Sequence, residues 1–328
     1  MTTKPIVIIA GEPYSIFLEI FFKSLKKKKI RDLKNPIIII CSKSLLISQM
    51  RKLKYNFKIR DINEKNFNFK KINNNSINLI NVNFNFKKPF DKISNKSKTY
   101  IEECIKIALL LVKKNNIKIL LNGPVSKTHF LQKSFPGMTE YFAKKTSSIG
   151  REAMLIYNSK LSVSPLTTHL PLRKIFKKIT QNKIIKHVKI INDFYKSKLK
   201  RKVNIGITGL NPHCETTDNF SEDEKILKPA IKKLRQNGVK IQGPFAADTI
   251  FLKRNINKYD VIVGMYHDQV LTPIKTLYGF DAINITLGLP FLRITPDHGT
   301  NNNMLGKNLS DPTSLIEAIL FAKKIKKN

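Results

Sequence analysis

Short apolar runs alternate with amphipathic helical patterns along almost the whole chain, and this alternation restricts the fold more than any other feature. Residues 6–10, 36–41, 117–121, 161–166, 203–210 and 261–265 are short, mainly apolar stretches, the pattern of strands buried on both faces. Helical patterning follows or precedes them at 15–26, 43–53, 99–114, 179–198, 222–237 and 315–327. Residues 54–98 are rich in Asn, Lys and Phe with weak alternation, and predict short strands and loops. The whole predicts an α/β fold of mostly parallel sheets with helices packed on them. At 328 residues the chain has room for two ordinary domains. A division within 126–136 places a first α/β domain at 1–130 plus 300–328, the last helix returning to it, and a second at 131–299. No internal repeat and no long low-complexity linker interrupts this plan.

Composition matters mainly for what it excludes. The formal net charge is +37, which would suit a nucleic-acid binder. Of the 60 basic residues, however, only 9 are Arg and 51 are Lys. Readers of bases and phosphates rely on the bidentate guanidinium, so solvated lysines without a polyanion partner are the expectation. Three scattered cysteines, Cys41, Cys104 and Cys214, do not form a disulfide framework and suit a reducing cytoplasm. No stretch has the length and apolarity of a membrane span, and no signal-like segment opens the chain. A soluble, cytoplasmic protein with no membrane partner is expected.

Three of the six histidines sit just past apolar runs, in Thr167-Thr168-His169, Asn211-Pro212-His213 and Tyr266-His267-Asp268. In open α/β sheets, ligands bind outside the carboxyl ends of the strands. Three imidazoles delivered there suit one divalent metal with positions left open for substrate. Asp268 would ligate or orient an imidazole. Cys214 follows His213, but neighbours on one loop seldom both point at one ion. His298, in Asp297-His298-Gly299-Thr300, fits a cofactor-binding turn better than a ligand position. His129 and His187 lie in Lys-rich helical contexts and are expected on the surface. Lys275, Asn284 and Arg293 form a second set, suited to a phosphate or carboxylate. No G-x-G-x-x-G is present, so a Rossmann dinucleotide site is unsupported. Gly11-Glu12-Pro13 and Gly123-Pro124-Val125-Ser126-Lys127 each follow a strand, and Lys127 is a candidate cleft residue.

Together these segments resemble the 4-hydroxythreonine-4-phosphate dehydrogenase family of vitamin B6 biosynthesis. The match is dense from Gly123 to Gly306, through GPVSK, FPGMTEYF, TTHLPLR, GLNPH, GPFAADTIF, MYHDQ and NITLGLPFLRITPDHGT. The resemblance implies two α/β/α domains flanking a cleft, akin to isocitrate and isopropylmalate dehydrogenases, in a homodimer with shared active sites. It makes His169, His213 and His267 ligands of one divalent metal (Zn, Mg or Co), supplied jointly by both subunits. Thr139, Lys275, Asn284 and Arg293 would bind substrate, with Met138 at the neighbouring position, and Asp248 would lie in the cleft. His298, Gly299, Thr300 and Gly306 would help hold NAD or NADP. The implied activity is oxidation of 4-phosphohydroxy-L-threonine to a β-keto acid that decarboxylates to 3-amino-2-oxopropyl phosphate, in pyridoxine and pyridoxal phosphate biosynthesis.

The sequence departs from the family pattern at four places. Met138 stands where the family usually has His, removing a donor from the substrate pocket at about 1–3 kcal/mol. Tyr14-Ser15-Ile16-Phe17 replaces a small, Gly-containing turn. Residues 214–219 replace a glycine-rich loop, and Asn301-Asn302-Asn303 interrupts the cofactor loop. Two alternatives therefore stand beside the leading reading: a sister dehydrogenase for another phosphorylated hydroxy acid, and a decayed, non-catalytic relative binding polyanions through its lysines.

Overall fold

The structure is a computed structural model that describes residues 4–64, 68, 72–132, 134–279 and 282–325. The chain divides into two compact units, Met1–Phe135 with Pro290–Lys323, and Pro136–Leu289 with Lys324–Asn328. Strands in chain order are β1 (Ile6–Ile9), β2 (Ile37–Cys41), β3 (Ile59–Asp61), β4 (Ile77–Asn81), β5 (Ile119–Asn122), β6 (Ala153–Tyr157), β7 (Ser162–Thr167), β8 (Ile205–Thr208), β9 (Ile241–Phe245), β10 (Val261–Tyr266), β11 (Ile283–Leu287) and β12 (Leu292–Pro296).

In the first unit the strand order is β3-β4-β2-β1-β5-β12, and every pairing is parallel. β1 (IVII) and β2 (IIIIC) are buried at every position. Such runs of β-branched residues are stable only where both faces of a sheet are covered. Helices Phe17–Leu25, Lys43–Lys52 and Ser97–Asn115 bury apolar stripes in this unit. Ser42 caps the second by accepting from the Leu45 N–H, and Asn116, left-handed at φ 50°, ends the third.

The second unit has the order β11-β6-β7-β10-β8-β9. β11–β6 and β6–β7 are antiparallel, whereas β7–β10, β10–β8 and β8–β9 are parallel. Helices Gln181–Lys198, Lys228–Gln236 and His267–Tyr278 belong to it. The expected helix at 222–237 begins instead with a single π turn, Asp223–Leu227. The first of these helices corrects one expectation. His187 is 6% exposed, and its Nε2 lies 2.7 Å from the Ser164 hydroxyl on β7. It shares an apolar stripe with Ile184, Val188 and Ile191, while Lys186 and Lys189 are exposed and Lys183 is half-buried one turn before it. Burial pushes its pKa down to about 3, aided by Lys183. His129 is half-buried beside Asn95, 2.9 Å from its Oδ1.

Candidate active site

Strand register explains why two of the histidines meet. β7 and β10 run parallel with Thr167 opposite Tyr266. The Thr167 hydroxyl donates to the Met265 carbonyl at 2.7 Å, locking the two strand ends together. His169 and His267 follow these ends, and their ring centroids are 5.9 Å apart. Gln269 joins the neighbouring strand to the same place. Its Oε1 accepts from the Met265 N–H at 2.7 Å and the Thr208 hydroxyl at 2.8 Å, and its Nε2 donates to the Gly209 carbonyl at 2.8 Å.

Each of the two imidazoles has a carboxylate at Nδ1. His267 Nδ1 lies 2.7 Å from Asp268 Oδ1, and His169 Nδ1 lies 3.6 Å from Glu140 Oε1. Glu140 stands in helix Met138–Lys145 and also accepts the Thr168 hydroxyl at 2.6 Å. Burial alone would push its carboxyl up. The interactions with His169, Thr168 and its own backbone N–H outweigh burial and hold it at about 2. It is therefore an anion at neutral pH. A carboxylate facing Nδ1 favours the tautomer protonated there and leaves Nε2 as the lone-pair donor, the arrangement that orients metal-binding imidazoles. Gly137 makes the approach possible: a Cβ there would lie 2.5 Å from His169 Nδ1 and 2.8 Å from Glu140 Oε2.

The donor chemistry at His169 and His267 fits a divalent cation. Glu140 Oε2 is buried beside the His169 ring without a hydrogen-bond partner, a polar atom suited to an ordered site rather than to packing. His213 is exposed, on the loop that leaves β8. Among the described residues no group of three His, Cys, Asp or Glu is positioned to hold a metal within one chain. The structure thus brings together two of the three histidines.

The remaining candidates divide between the units. In the second, Thr139 is 4% exposed with its hydroxyl 3.4 Å from that of Thr286 on β11. Asn284 is two positions from Thr286 and so shares that face of the strand. Its Oδ1 is buried without a partner. Met138 opens the Glu140 helix and is half-buried, as is Lys275 in helix His267–Tyr278; Asp248 is exposed in the short helix Ala247–Ile250. In the first unit, Arg293 on β12 is 2% exposed and donates from Nε to Asn122 Oδ1 at 2.7 Å. Lys127 is exposed at the start of the π turn Lys127–Leu131. The His298 ring lies 6.4 Å from that of Phe17, with Nδ1 3.0 Å from the Gly299 carbonyl and Nε2 buried without a partner. Burial holds the imidazole below its ordinary range, against Gly299 and Asp297. Thr300 accepts the Ile16 N–H at 3.2 Å, and Gly306, at φ 76°, packs on Phe90.

Sequence reasoning missed Glu140, Thr168 and Gln269. Glu140 lies beside the assigned pair Met138-Thr139, and Thr168 beside His169; adjacency was the available signal.

A family model, pyridoxal phosphate biosynthetic protein PdxA, matches residues 32–322. A 4-hydroxythreonine-4-phosphate dehydrogenase of Sulfurihydrogenibium sp. is 37% identical over 321 residues, 97% of each chain. A protein of Oceanobacillus iheyensis named for dehydrogenation of D-threonate 4-phosphate is 30% identical over 332 residues, also 97% of each. The crystal structure of 4-hydroxythreonine-4-phosphate dehydrogenase from Klebsiella pneumoniae superposes with a TM-score of 0.82 at 26% identity, over 98% of this chain and 99% of its own. A β-decarboxylating dehydrogenase from Thermococcus kodakarensis shares the fold, with a TM-score of 0.54 at 10% identity, over 98% of this chain and 82% of its own.

Proposed function

The chain belongs to the PdxA family of pyridoxal phosphate biosynthetic proteins, and from that premise we propose that it is an NAD-dependent (or NADP-dependent), divalent-metal-dependent dehydrogenase of 4-phosphohydroxy-L-threonine. The observation that carries the reading is the pair His169–His267, each imidazole backed by a carboxylate. Zn or Co suits such imidazole donors, whereas Mg would draw its ligands from carboxylate and substrate oxygens.

When bound, the ion supplies Lewis acidity at the substrate hydroxyl, and the nicotinamide supplies a hydride sink. The protein's own part is orientation. Glu140 and Asp268 keep the proton on Nδ1 of the two imidazoles, so that Nε2 is the ligating atom. Thr139 and the unpartnered Asn284 Oδ1 offer polar contacts to the amino-acid end of the substrate, and Lys275 and Arg293 are the phosphate ligands. Gripping a phosphate that does not react lets binding energy orient the carbon that does. Asp248 and Lys127 are proposed as further residues of the substrate site. His298, Gly299, Thr300 and Gly306 are assigned to the cofactor. The product β-keto acid then loses CO2 to give 3-amino-2-oxopropyl phosphate.

A homodimer is part of the proposal, His213 being supplied to the site of a second copy. Its support is the apolar surface on the same segments: Leu172 (64% exposed), Phe176 (54%), Phe220 (55%) and Leu252 (43%) lie beyond His169, His213 and Asp248. No helix among the described residues is long and apolar enough to cross a membrane, and we place the enzyme in the cytoplasm. The test is a coupled NADH assay with purified protein, divalent metal, NAD and 4-phosphohydroxy-L-threonine, with and without a chelator. Absence of NADH in the metal-loaded sample sinks the proposal.

One observation favours a second reading. Met138 gives the pocket an apolar group, and the Oceanobacillus relative carries a name with a different phosphorylated hydroxy acid. If D-threonate 4-phosphate is turned over with the higher kcat/KM, the sister activity replaces the first.

A further inference from the structure

Asp223 is a fully buried carboxylate with no part in the chemistry above. It opens the π turn Asp223–Leu227 and faces back onto the loop leaving β8. Oδ1 accepts the Leu210 N–H at 2.8 Å, and Oδ2 accepts the Asn211 N–H and Asn211 Nδ2, both at 3.0 Å. Glu222 Oε2 takes a further bond from Asn211 Nδ2 at 3.2 Å. The same loop is tied to the sheet one residue earlier, where the Gly209 N–H donates to the Phe245 carbonyl at 2.8 Å and the Gly209 carbonyl accepts from Gln269. A Cβ on Gly209 would lie 2.5 Å from Cys214 Sγ and 2.8 Å from Asp223 Oδ1, so the loop closes tightly over the carboxylate.

His213 lies two residues beyond Asn211. It and Cys214 both hold left-handed backbone conformations, at φ 56° and 62°. Such conformations are disfavoured for residues with a Cβ and persist where surrounding structure enforces them. His169 and His267 each have a carboxylate on the ring itself; the exposed His213 ring has none within ion-pair distance among the described residues. Its direction follows the loop backbone, which Asp223 ties at Leu210 and Asn211 and which closes on Asn211 through the Cys214 N–H at 3.0 Å. A buried carboxylate is stable only with its lone pairs taken up, and here the loop supplies three N–H donors.

We propose that Asp223 is a positioning residue for His213, clamping residues 209–214 in the conformation that presents the imidazole to a metal. The proposal rests on the reading of His213 as a ligand. The test is Co(II) titration of full-length purified protein, followed by the visible absorption of the bound ion, on wild type, Asp223→Asn, His213→Ala and the double variant. Asp223→Asn is expected to keep its circular dichroism and elution volume while binding Co(II) about 10–100-fold more weakly. His213→Ala is also expected to weaken binding, and the double variant to bind no more weakly than His213→Ala alone. Binding by Asp223→Asn within threefold of wild type, with His213→Ala impaired, overturns the proposal and leaves the reading standing. So does a loss from Asp223→Asn that persists in full on the His213→Ala background. Wild-type binding by His213→Ala overturns the reading and the proposal together. If Asp223→Asn fails to fold, Asn211→Ala serves instead: it removes the side-chain bonds to Asp223 and Glu222 but leaves the backbone N–H donors of residues 210 and 211. It should weaken Co(II) binding several-fold, and no change overturns the proposal.

Discussion

Glu12 ought to make the protein less stable as pH rises from about 4.5 to about 7. It follows β1, is 2% exposed, and accepts the Ser97 hydroxyl on Oε2 at 3.1 Å, while Oε1 is buried without a partner. Burial pushes its carboxyl from 4.5 up to about 7, against the bonds from Ser97 and the Tyr14 backbone. The folded state therefore holds the proton more tightly than the unfolded state. Below 4.5 both states are protonated and the group contributes nothing. Between 4.5 and about 7 only the unfolded state ionises, so stability falls with pH and levels off above 7. At 1.36 kcal/mol per unit the full loss is about 3 kcal/mol. Glu12→Gln keeps an acceptor for Ser97 and cannot ionise, so it should match wild type near pH 4.5 and exceed it at pH 8. For a unit of this size the excess corresponds to roughly 6–12 °C in Tm. Thermal unfolding of both proteins from pH 4.5 to 8 reads this directly. A Tm difference that does not change with pH, or that favours wild type at pH 8, would refute the argument.

His187 has the opposite linkage. Its folded value of about 3 lies below the ordinary 6.5, so stability should be lost as pH falls from 6.5 towards 3, by about 5 kcal/mol at the end of that range. His187→Gln should flatten the acid limb of the unfolding profile, and an unchanged limb would count against it. Gly137→Ala puts a methyl 2.5 Å from His169 Nδ1; Co(II) affinity should drop at least tenfold with the circular dichroism unchanged, and intact affinity would show that His169 is no ligand. Met138→His restores a hydrogen-bond donor to the pocket and should raise kcat/KM for 4-phosphohydroxy-L-threonine by roughly 5–150-fold, the equivalent of about 1–3 kcal/mol; a fall in kcat/KM would show that methionine suits the native substrate.

Strands β1, β2, β5, β7, β8 and β10 were legible because their runs are so apolar, and His169 and His267 because they follow two of those runs; β6, β9, β11 and β12 were not singled out. What brings these rings to 5.9 Å, the pairing of Thr167 with Tyr266, is a register between segments about a hundred residues apart and leaves no local mark. His187 was misread by counting lysines; its spacing from Ile184 and Ile191 already placed it on the apolar stripe. The buried acids were missed for a different reason. Glu12 bonds to Ser97, Glu19 accepts the Ser310 N–H at 2.6 Å, and Asp223 holds a loop 12 residues upstream. Each partner is distant or is backbone, which carries no residue code. Scarcity was the overlooked signal. Against 60 basic residues the chain keeps 23 acids, and in such a background a carboxylate inside an apolar or loop segment is costly to bury. Glu12, Glu140 and Asp223 are three such acids, lying just after β1, beside the His169 ring and against the loop that carries His213.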